Sequence, residues 1–163
     1  MSEQTFNRLR HTFDDFALND SVETAGRTVD IGDITTFAGL TGDHYPLHTD
    51  EEFCRSTPFG GRIAHGPLTY GFAVGLVARS GFLGDAIVAF LECQGLTALA
   101  PVRPGDTIRV RAAVALAVPS QDPRKPYGKL HIDYLVLNQK DEQVMRFRMV
   151  LLARRDIQED NGE

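Results

Sequence analysis

The segment at 67–81, "PLTYGFAVGLVARSG", constrains the fold of this chain more than any other, because it reads as a helix that is apolar nearly all round. Pro67 suits the first helical position, and Gly81 suits the position just beyond the last. A helix with almost no polar face has to be buried on most of its sides. The rest of the chain must therefore supply a layer broad enough to cover it.

That layer is predicted after Gly84, where the apolar pattern changes to a period of two. The segments "TIRVRAAV", "KLHIDYLV" and "QVMRFRMVLL" each alternate apolar with polar residues. This alternation is typical of half-buried antiparallel strands. "APVRPGDTI" reads as a turn, "LNQKDEQ" as a hairpin loop and "PSQDPRKPYG" as the longest break between strands.

We therefore expect an α+β fold in which one antiparallel sheet is wrapped around one long central helix. No internal repeat or low-complexity linker divides the chain, so residues 1–163 are expected to form a single domain, with an acidic frayed tail at about 156–163. One sheet around one helix leaves an open face, and we expect a homodimer or a higher homo-oligomer to cover it.

Two shorter helices are predicted before the long one. Asp33 is placed to cap "ITTFAGL", with Gly42 just beyond its end, and Asp50 is placed to cap "EEFCRS".

Composition excludes several classes of function. A formal net charge of −5 does not favour a nucleic-acid surface, and the opening "MSEQTFNRLR" lacks the apolar core of a secretory signal. The most apolar run is interrupted by Glu92, Gln94 and Gly95 and does not read as a membrane span. Cys54 and Cys93 have no CxxC spacing and suit a reduced cytoplasm, although a disulfide stays open. We expect a cytoplasmic protein without a nucleic-acid or membrane partner.

The loop "TGDHYPLHTD" carries the first candidate chemistry, because Asp43, His44 and His48 surround Pro46. Pro46 makes a continuous helix through the loop unfavourable, and Gly42 lets the chain turn before Asp43. A turn can bring the carboxylate of Asp43 to the imidazole of His48, where the pair could bind and activate one water. The alternative is a solvated loop with Asp43 as a turn residue and His44 facing solvent.

The second candidate is "GGRIAHGPL", in which Gly66 precedes the long helix. An N–H at the start of a helix is not needed by its hydrogen-bond ladder, and the absence of a side chain lets a carbonyl oxygen approach it. The alternative is that Gly66 only permits a sharp turn into the helix. We interpret His65 as a residue that hydrogen-bonds the neighbouring loop.

A metal site formed by Asp43, His44, His48 and His65 is conceivable, but we predict none. His44 and His48 have HxxxH spacing, yet Pro46 breaks the helix that would align their rings, and the chain has no HExxH. It also has no GxGxxG, GxxxxGK or GxSxG motif.

Together, "GDHYPLH" and "GGRIAHGPLTYGF" resemble the MaoC-like dehydratases, the (R)-specific enoyl-CoA hydratase group of the hot-dog fold. The resemblance is strong over 34–77 and agrees with the strand pattern up to Arg154. It implies that Asp43 and His48 hold and activate water while the Gly66 N–H polarises a thioester carbonyl. The implied reaction is reversible addition of water to a 2-enoyl-CoA, giving an (R)-3-hydroxyacyl-CoA. No cofactor is expected, since CoA is part of the substrate.

The chain departs from the family pattern at Tyr45, where "GDxNPxH" has Asn. A phenol ring there could reshape the loop or narrow the acyl pocket. We expect substrate contacts from Tyr45 and His65 beside the catalytic residues, and from Tyr70, which with Phe72 and Val74 could shape an acyl tunnel. Three cations are candidates to meet the CoA phosphates: Arg62, Arg124 and Lys125. Solvated surface charge and plain core are the alternatives for these residues.

Two other functions stay open from the residues. A hot-dog acyl-CoA thioesterase would also use an acid and a polarising N–H, although the spaced Asp43 and His48 argue against it. A non-catalytic acyl-CoA-binding subunit would be favoured by loss of either residue, and both are present.

Overall fold

The computed structural model of the protein describes residues 10, 12–122 and 124–155. Within them lie a short 3-10 turn at Phe13–Asp15 and four α-helices: α1 (Ile31–Thr41), α2 (Pro46–Thr49), α3 (Glu51–Arg55) and α4 (Gly66–Arg79). The strands are β1 (Ser21–Glu23), β2 (Arg27–Thr28), β3 (Ile87–Ala98), β4 (Thr107–Pro119), β5 (Tyr127–Leu137) and β6 (Gln143–Arg154). The predicted frayed tail at 156–163 lies outside the described residues.

The strands form one antiparallel sheet in the order β1-β4-β5-β6-β3, and β2 also pairs with β4. The three alternating segments of the sequence become β4, β5 and β6, so this prediction is confirmed. β3 was not predicted as a strand. It lies at one edge of the sheet, and most of its residues are exposed. Because it has no single buried face, its sequence does not alternate between apolar and polar residues.

Helix α4 packs against the inner face of this sheet and forms the centre of the core. Ala73 and Val77 are fully buried there, together with Val110 and Ile132 of the sheet. The α+β arrangement of a sheet around a long helix is confirmed. The prediction that α4 is buried nearly all round is wrong on one side, because a stripe that includes Gly71 and Gly75 is exposed.

The ends of the short helices follow from local hydrogen bonds. Helix α1 begins at Ile31, because the side chain of Asp30 accepts the N–H of Gly32 at 2.8 Å. Asp33, predicted as the cap, instead accepts the N–H of Asp30 at 2.9 Å and completes a capping box, so that prediction was wrong by three residues. Gly42 ends α1 in the left-handed conformation, with φ 77°.

The cap of α3 and the start of α4 agree better with the sequence. Asp50 accepts the N–H of Phe53 at 2.9 Å, which confirms it as the cap of α3. Helix α4 begins at Gly66, one residue before the predicted Pro67, and Gly81 lies just beyond its last turn.

Two backbone hydrogen bonds join the helical segment to one end of the sheet. The N–H of Ile63 donates to Leu47 of α2 at 3.2 Å, and the N–H of Ala64 donates to Val102 at 2.7 Å. The loop between α3 and α4 is thereby fixed between α2 and the chain that follows β3. In the part of the chain that the structure describes, no helix has the length and apolar character needed to cross a membrane.

Candidate active site

Asp43 lies in a turn that hydrogen bonds at both ends hold in place. Its N–H donates to the hydroxyl of Thr41 at 3.3 Å, and its Oδ1 accepts the N–H of Tyr45 at 3.3 Å. The second bond is an Asx turn, in which a carboxylate satisfies the backbone two residues further on. The carboxylate is therefore held just before the first turn of α2.

His48 lies on α2, which begins at Pro46 as a separate short helix. Its Nδ1 is 2.8 Å from the carbonyl oxygen of Ile63. A carbonyl can only accept a hydrogen bond, so Nδ1 carries the hydrogen and the lone pair of the neutral ring lies on Nε2. The structure therefore assigns the orientation of this ring to the Ile63 carbonyl.

The turn brings Asp43 and His48 together, as the loop sequence predicted. A carboxylate oxygen of Asp43, a ring nitrogen of His48 and a ring nitrogen of His65 all lie within 4.8 Å of one another. One water can bridge polar atoms at that separation with two hydrogen bonds of ordinary length. The arrangement can therefore hold a water between a carboxylate and an imidazole base.

The same three side chains could also be considered as metal ligands. The rings of His48 and His65 are stacked, with centroids 3.8 Å apart and planes inclined by 30°. The lone pairs of stacked rings lie in nearly parallel planes, whereas two imidazoles on a tetrahedral ion must converge on it, and one nitrogen of each ring already bonds a backbone carbonyl oxygen. The geometry therefore suits hydrogen bonding better than metal coordination. His44 is exposed and is not part of this group.

Gly66 opens helix α4 beside these residues. A Cβ at this position would meet no atom within 4 Å beyond its chain neighbours and the backbone of its own helix, so the space beside it is open. The N–H groups of the first helical turn have no acceptor within the helix, and they lie at its positive end. Gly66 and His48 both line a cavity of about 320 Å³, whose other walls are largely apolar, among them Phe59, Leu99 and Met145.

Cys54 is hydrogen-bonded to the backbone of α2, a role that the sequence did not indicate. Its thiol donates to the carbonyl oxygens of Pro46 at 3.4 Å and Leu47 at 3.2 Å. Burial raises the pKa of the Cys54 thiol, and nearby Glu51 and Asp50 raise it further, so the thiol keeps the proton that it donates. Neither this contact nor the carbonyl of Ile63 has a signature in residue type or spacing.

The residues predicted to contact substrate differ in their exposure: Tyr45 is exposed and Arg62 is partly exposed, whereas His65 is buried. Tyr45 is 58% exposed at the start of α2, and Arg62 pairs with Glu51 at 2.8 Å in the loop before α4. His65 is fully buried, and its Nε2 lies 3.0 Å from the carbonyl oxygen of Asp43. His65 thus bonds the neighbouring loop, as we interpreted it, and its burial leaves no surface for direct contact with substrate.

Tyr70 points into the interior. Its ring meets the edge of Phe147 with centroids 4.9 Å apart. Burial raises the pKa of the Tyr70 hydroxyl. Phe72 and Val74 are partly buried and pack against the core. This agrees with the alternative that these two residues belong to the core and do not line an acyl tunnel.

The prediction that Arg124 and Lys125 meet the CoA phosphates is not supported within one protomer. Both lie between β4 and β5, whereas the cavity at His48 is lined by Val144 and Met145 at the start of β6. These are opposite ends of the sheet, separated by the length of β5, about 35 Å for 11 residues. Sequence order gave no indication of which end of the sheet the connection occupies.

The chain matches the family model described as MaoC like domain over residues 15–125. It is 34% identical to Protein MaoC of Klebsiella aerogenes over 111 residues, which is 68% of this chain and only 32% of that protein. It is 37% identical to the (R)-specific enoyl-CoA hydratase of Rhodospirillum rubrum over 113 residues, covering 69% of this chain and 76% of that protein.

Among solved structures, the chain resembles the MaoC-like dehydratase from Rhodospirillum rubrum. The TM-score is 0.80 at 31% sequence identity, and the match covers 89% of this chain and 97% of that one.

Proposed function

The chain belongs to the MaoC-like family of hot-dog proteins, and on that basis we propose that it is a hydro-lyase acting on 2-enoyl-CoA thioesters. The reaction is reversible addition of water to give an (R)-3-hydroxyacyl-CoA. The observation that carries the proposal is a distance: a carboxylate oxygen of Asp43 and a ring nitrogen of His48 lie within 4.8 Å of each other. Both lie beside the first turn of α4, whose N–H groups have no acceptor within the helix.

In this mechanism, Asp43 and His48 hold one water between them. Nε2 of His48 carries the lone pair, because Ile63 binds the hydrogen on Nδ1, so Nε2 takes a proton as the water oxygen attacks the β-carbon. Negative charge then develops on the thioester oxygen. The N–H of Gly66 donates to that oxygen and is aided by the positive end of α4. Transfer of that proton from Nε2 of His48 to the α-carbon completes the addition and restores the neutral base, and dehydration is the same path reversed.

The substrate requires no separate cofactor in this proposal, because the thioester itself stabilises the developing enolate. The largely apolar cavity of about 320 Å³ beside Gly66 and His48 supports an acyl group as its occupant. We place the reaction in the cytoplasm, which agrees with two cysteines that are both free in the structure, Cys54 and Cys93.

We propose further that the working form is a homodimer joined at the edge strand β3. Three apolar side chains on that strand, Val88, Phe90 and Leu96, are each about half exposed, at 52%, 54% and 49%. An edge strand that combines unpaired backbone groups with exposed apolar side chains favours pairing with another strand. A second copy of the chain would supply such a strand. The end of β3 at Ala98 lines the candidate acyl cavity, so the interface would lie close to the proposed site.

A substrate panel tests the proposal. Crotonyl-CoA, longer enoyl-CoAs and branched enoyl-CoAs are each followed by loss of enoyl-thioester absorbance, with chiral analysis of the product and a parallel assay for free CoA. Formation of (R)-3-hydroxyacyl-CoA without release of CoA is the expected result. Release of free CoA from acyl-CoAs would identify a thioesterase instead. Tight binding of acyl-CoA with neither reaction would identify a non-catalytic binding subunit.

A further inference from the structure

His65 lies directly beneath the candidate active site without facing the solvent. It is fully buried at the start of α4, immediately before Gly66. One face of its ring is stacked on His48, with centroids 3.8 Å apart, and Phe37 of α1 packs against it with centroids 4.9 Å apart. Burying an imidazole between two rings costs free energy, because its nitrogens lose their hydrogen bonds to water. An apolar side chain of similar size would fill the same space without that cost.

The polar partner of His65 is the backbone of Asp43. Nε2 of His65 lies 3.0 Å from the carbonyl oxygen of Asp43, a contact between residues 22 positions apart in the chain. Because a carbonyl only accepts, Nε2 carries the hydrogen. Nδ1 is buried and has no hydrogen-bond partner among the described residues. The ring therefore makes one directional contact, and that contact is with the proposed catalytic loop.

We propose that His65 is a positioning residue for the hydration reaction. Its Nε2–H fixes the backbone of Asp43, while its ring face fixes the imidazole of His48. One rigid side chain thereby sets the distance between the proposed water-holding carboxylate and the proposed base. The inference rests on the proposed function for its catalytic consequence, but the His65–Asp43 bond itself does not depend on any activity.

The two contacts impose different requirements on the side chain. Phe in place of His65 retains a flat ring against His48 and loses the donor to Asp43. Gln retains a donor at a position similar to Nε2 and loses the ring. If the hydrogen bond sets the reaction geometry, Gln preserves turnover better than Phe even though it packs less well. If His65 only fills space, the order is reversed.

The experiment compares wild type, His65→Phe and His65→Gln, with Phe37→Leu as a packing control. Melting temperature, kcat and KM are measured for each on the best enoyl-CoA substrate. His65→Phe is expected to lower kcat at least tenfold with KM within about twofold, and His65→Gln to recover most of that loss. Phe37→Leu is expected to lower the melting temperature without a comparable loss of kcat. Wild-type kcat in His65→Phe, or equal losses in His65→Phe and His65→Gln, would overturn the proposal.

A second measurement on the wild-type protein separates this inference from the proposed function. Long-range proton–nitrogen NMR spectra report which ring nitrogen of each histidine carries a hydrogen. The proposal expects the hydrogen of His65 on Nε2 and that of His48 on Nδ1. A His65 ring with its hydrogen on Nδ1 alone would exclude the bond to Asp43, whether or not hydration is detected. Conversely, an inactive wild type with the expected spectrum would defeat only the proposed reaction.

Discussion

Nδ1 of His48 lies 2.8 Å from the carbonyl oxygen of Ile63, so a backbone group rather than a carboxylate orients the proposed base. The consequence is a division of roles. Ile63 fixes the ring and its tautomer, which leaves the carboxylate of Asp43 free to hold water. Ile63 is itself held by the bond from its N–H to Leu47 of α2, the helix that carries His48, so the base and its acceptor are joined through the same helix.

The open space at Gly66 predicts a variant that folds normally but works poorly. A methyl group there meets no atom within 4 Å, so Gly66→Ala should keep the melting temperature of the wild type. The methyl would stand on the same residue as the N–H that the thioester oxygen must reach and would crowd its approach, so we expect kcat/KM to fall at least tenfold. Steady-state hydration kinetics measure the loss.

Gly39 provides the matched control for this variant. It is exposed on α1, and a Cβ there also meets nothing within 4 Å. Gly39→Ala should raise stability by about 0.5–1 kcal/mol through helix propensity and leave kcat/KM unchanged. Equal kinetics for Gly66→Ala and Gly39→Ala would remove the proposed role of Gly66.

The sequence predicted this part of the site because glycine and proline mark the start of a helix strongly. It likewise predicted β4, β5 and β6, whose buried faces are apolar and whose other faces carry charged residues such as Arg109, Asp133 and Arg148. Strand β3 was missed, since an edge with apolar side chains on both faces has no period of two. The location of Arg124 was also beyond sequence reasoning, because nothing local specifies which end of a sheet a connection occupies.

Cys54 predicts a coupling between stability and turnover. Cys54→Ala leaves a buried gap and removes the thiol that donates to Pro46 and Leu47, so the free energy of unfolding should fall by about 1–3 kcal/mol. Because α2 carries His48, kcat should fall as well. Urea denaturation and hydration kinetics measure the two effects. Cys93→Ala, distant in sequence and on β3, is the control that should retain kcat, and an unchanged kcat in Cys54→Ala would contradict the coupling.

The edge strand predicts the oligomeric state. A charge at Phe90, in Phe90→Asp, should convert the proposed dimer into monomers, because burying that carboxylate against a second copy is unfavourable. Leu40→Asp is the control, since Leu40 is 81% exposed on α1, away from β3. Sedimentation velocity distinguishes the two variants. A dimer that persists in Phe90→Asp would place the interface elsewhere.

An exposed ion-pair cluster predicts a small dependence of stability on pH. Hydrogen bonds from Arg111 and then Arg109 lower the pKa of Glu23 below its ordinary value of 4.5. The charged form is therefore favoured in the folded state, so its contribution is present above about pH 4.5 and is lost as the pH falls through the lowered folded-state pKa. Glu23→Gln should melt at most about 3 °C below the wild type at pH 7, with the difference vanishing in acid. A difference that widens in acid would contradict this sign.

The central claim is that Asp43 and His48 activate water for addition to an enoyl-CoA. Its most direct measurement is the hydration rate of the best enoyl-CoA substrate in wild type, Asp43→Asn and His48→Gln. The exposed neighbour His44 supplies the control, as His44→Gln. We predict losses on the order of 10² to 10⁴ in kcat for the first two variants, with unchanged circular dichroism, and wild-type rates for His44→Gln. Near-normal rates in both Asp43→Asn and His48→Gln would contradict the account.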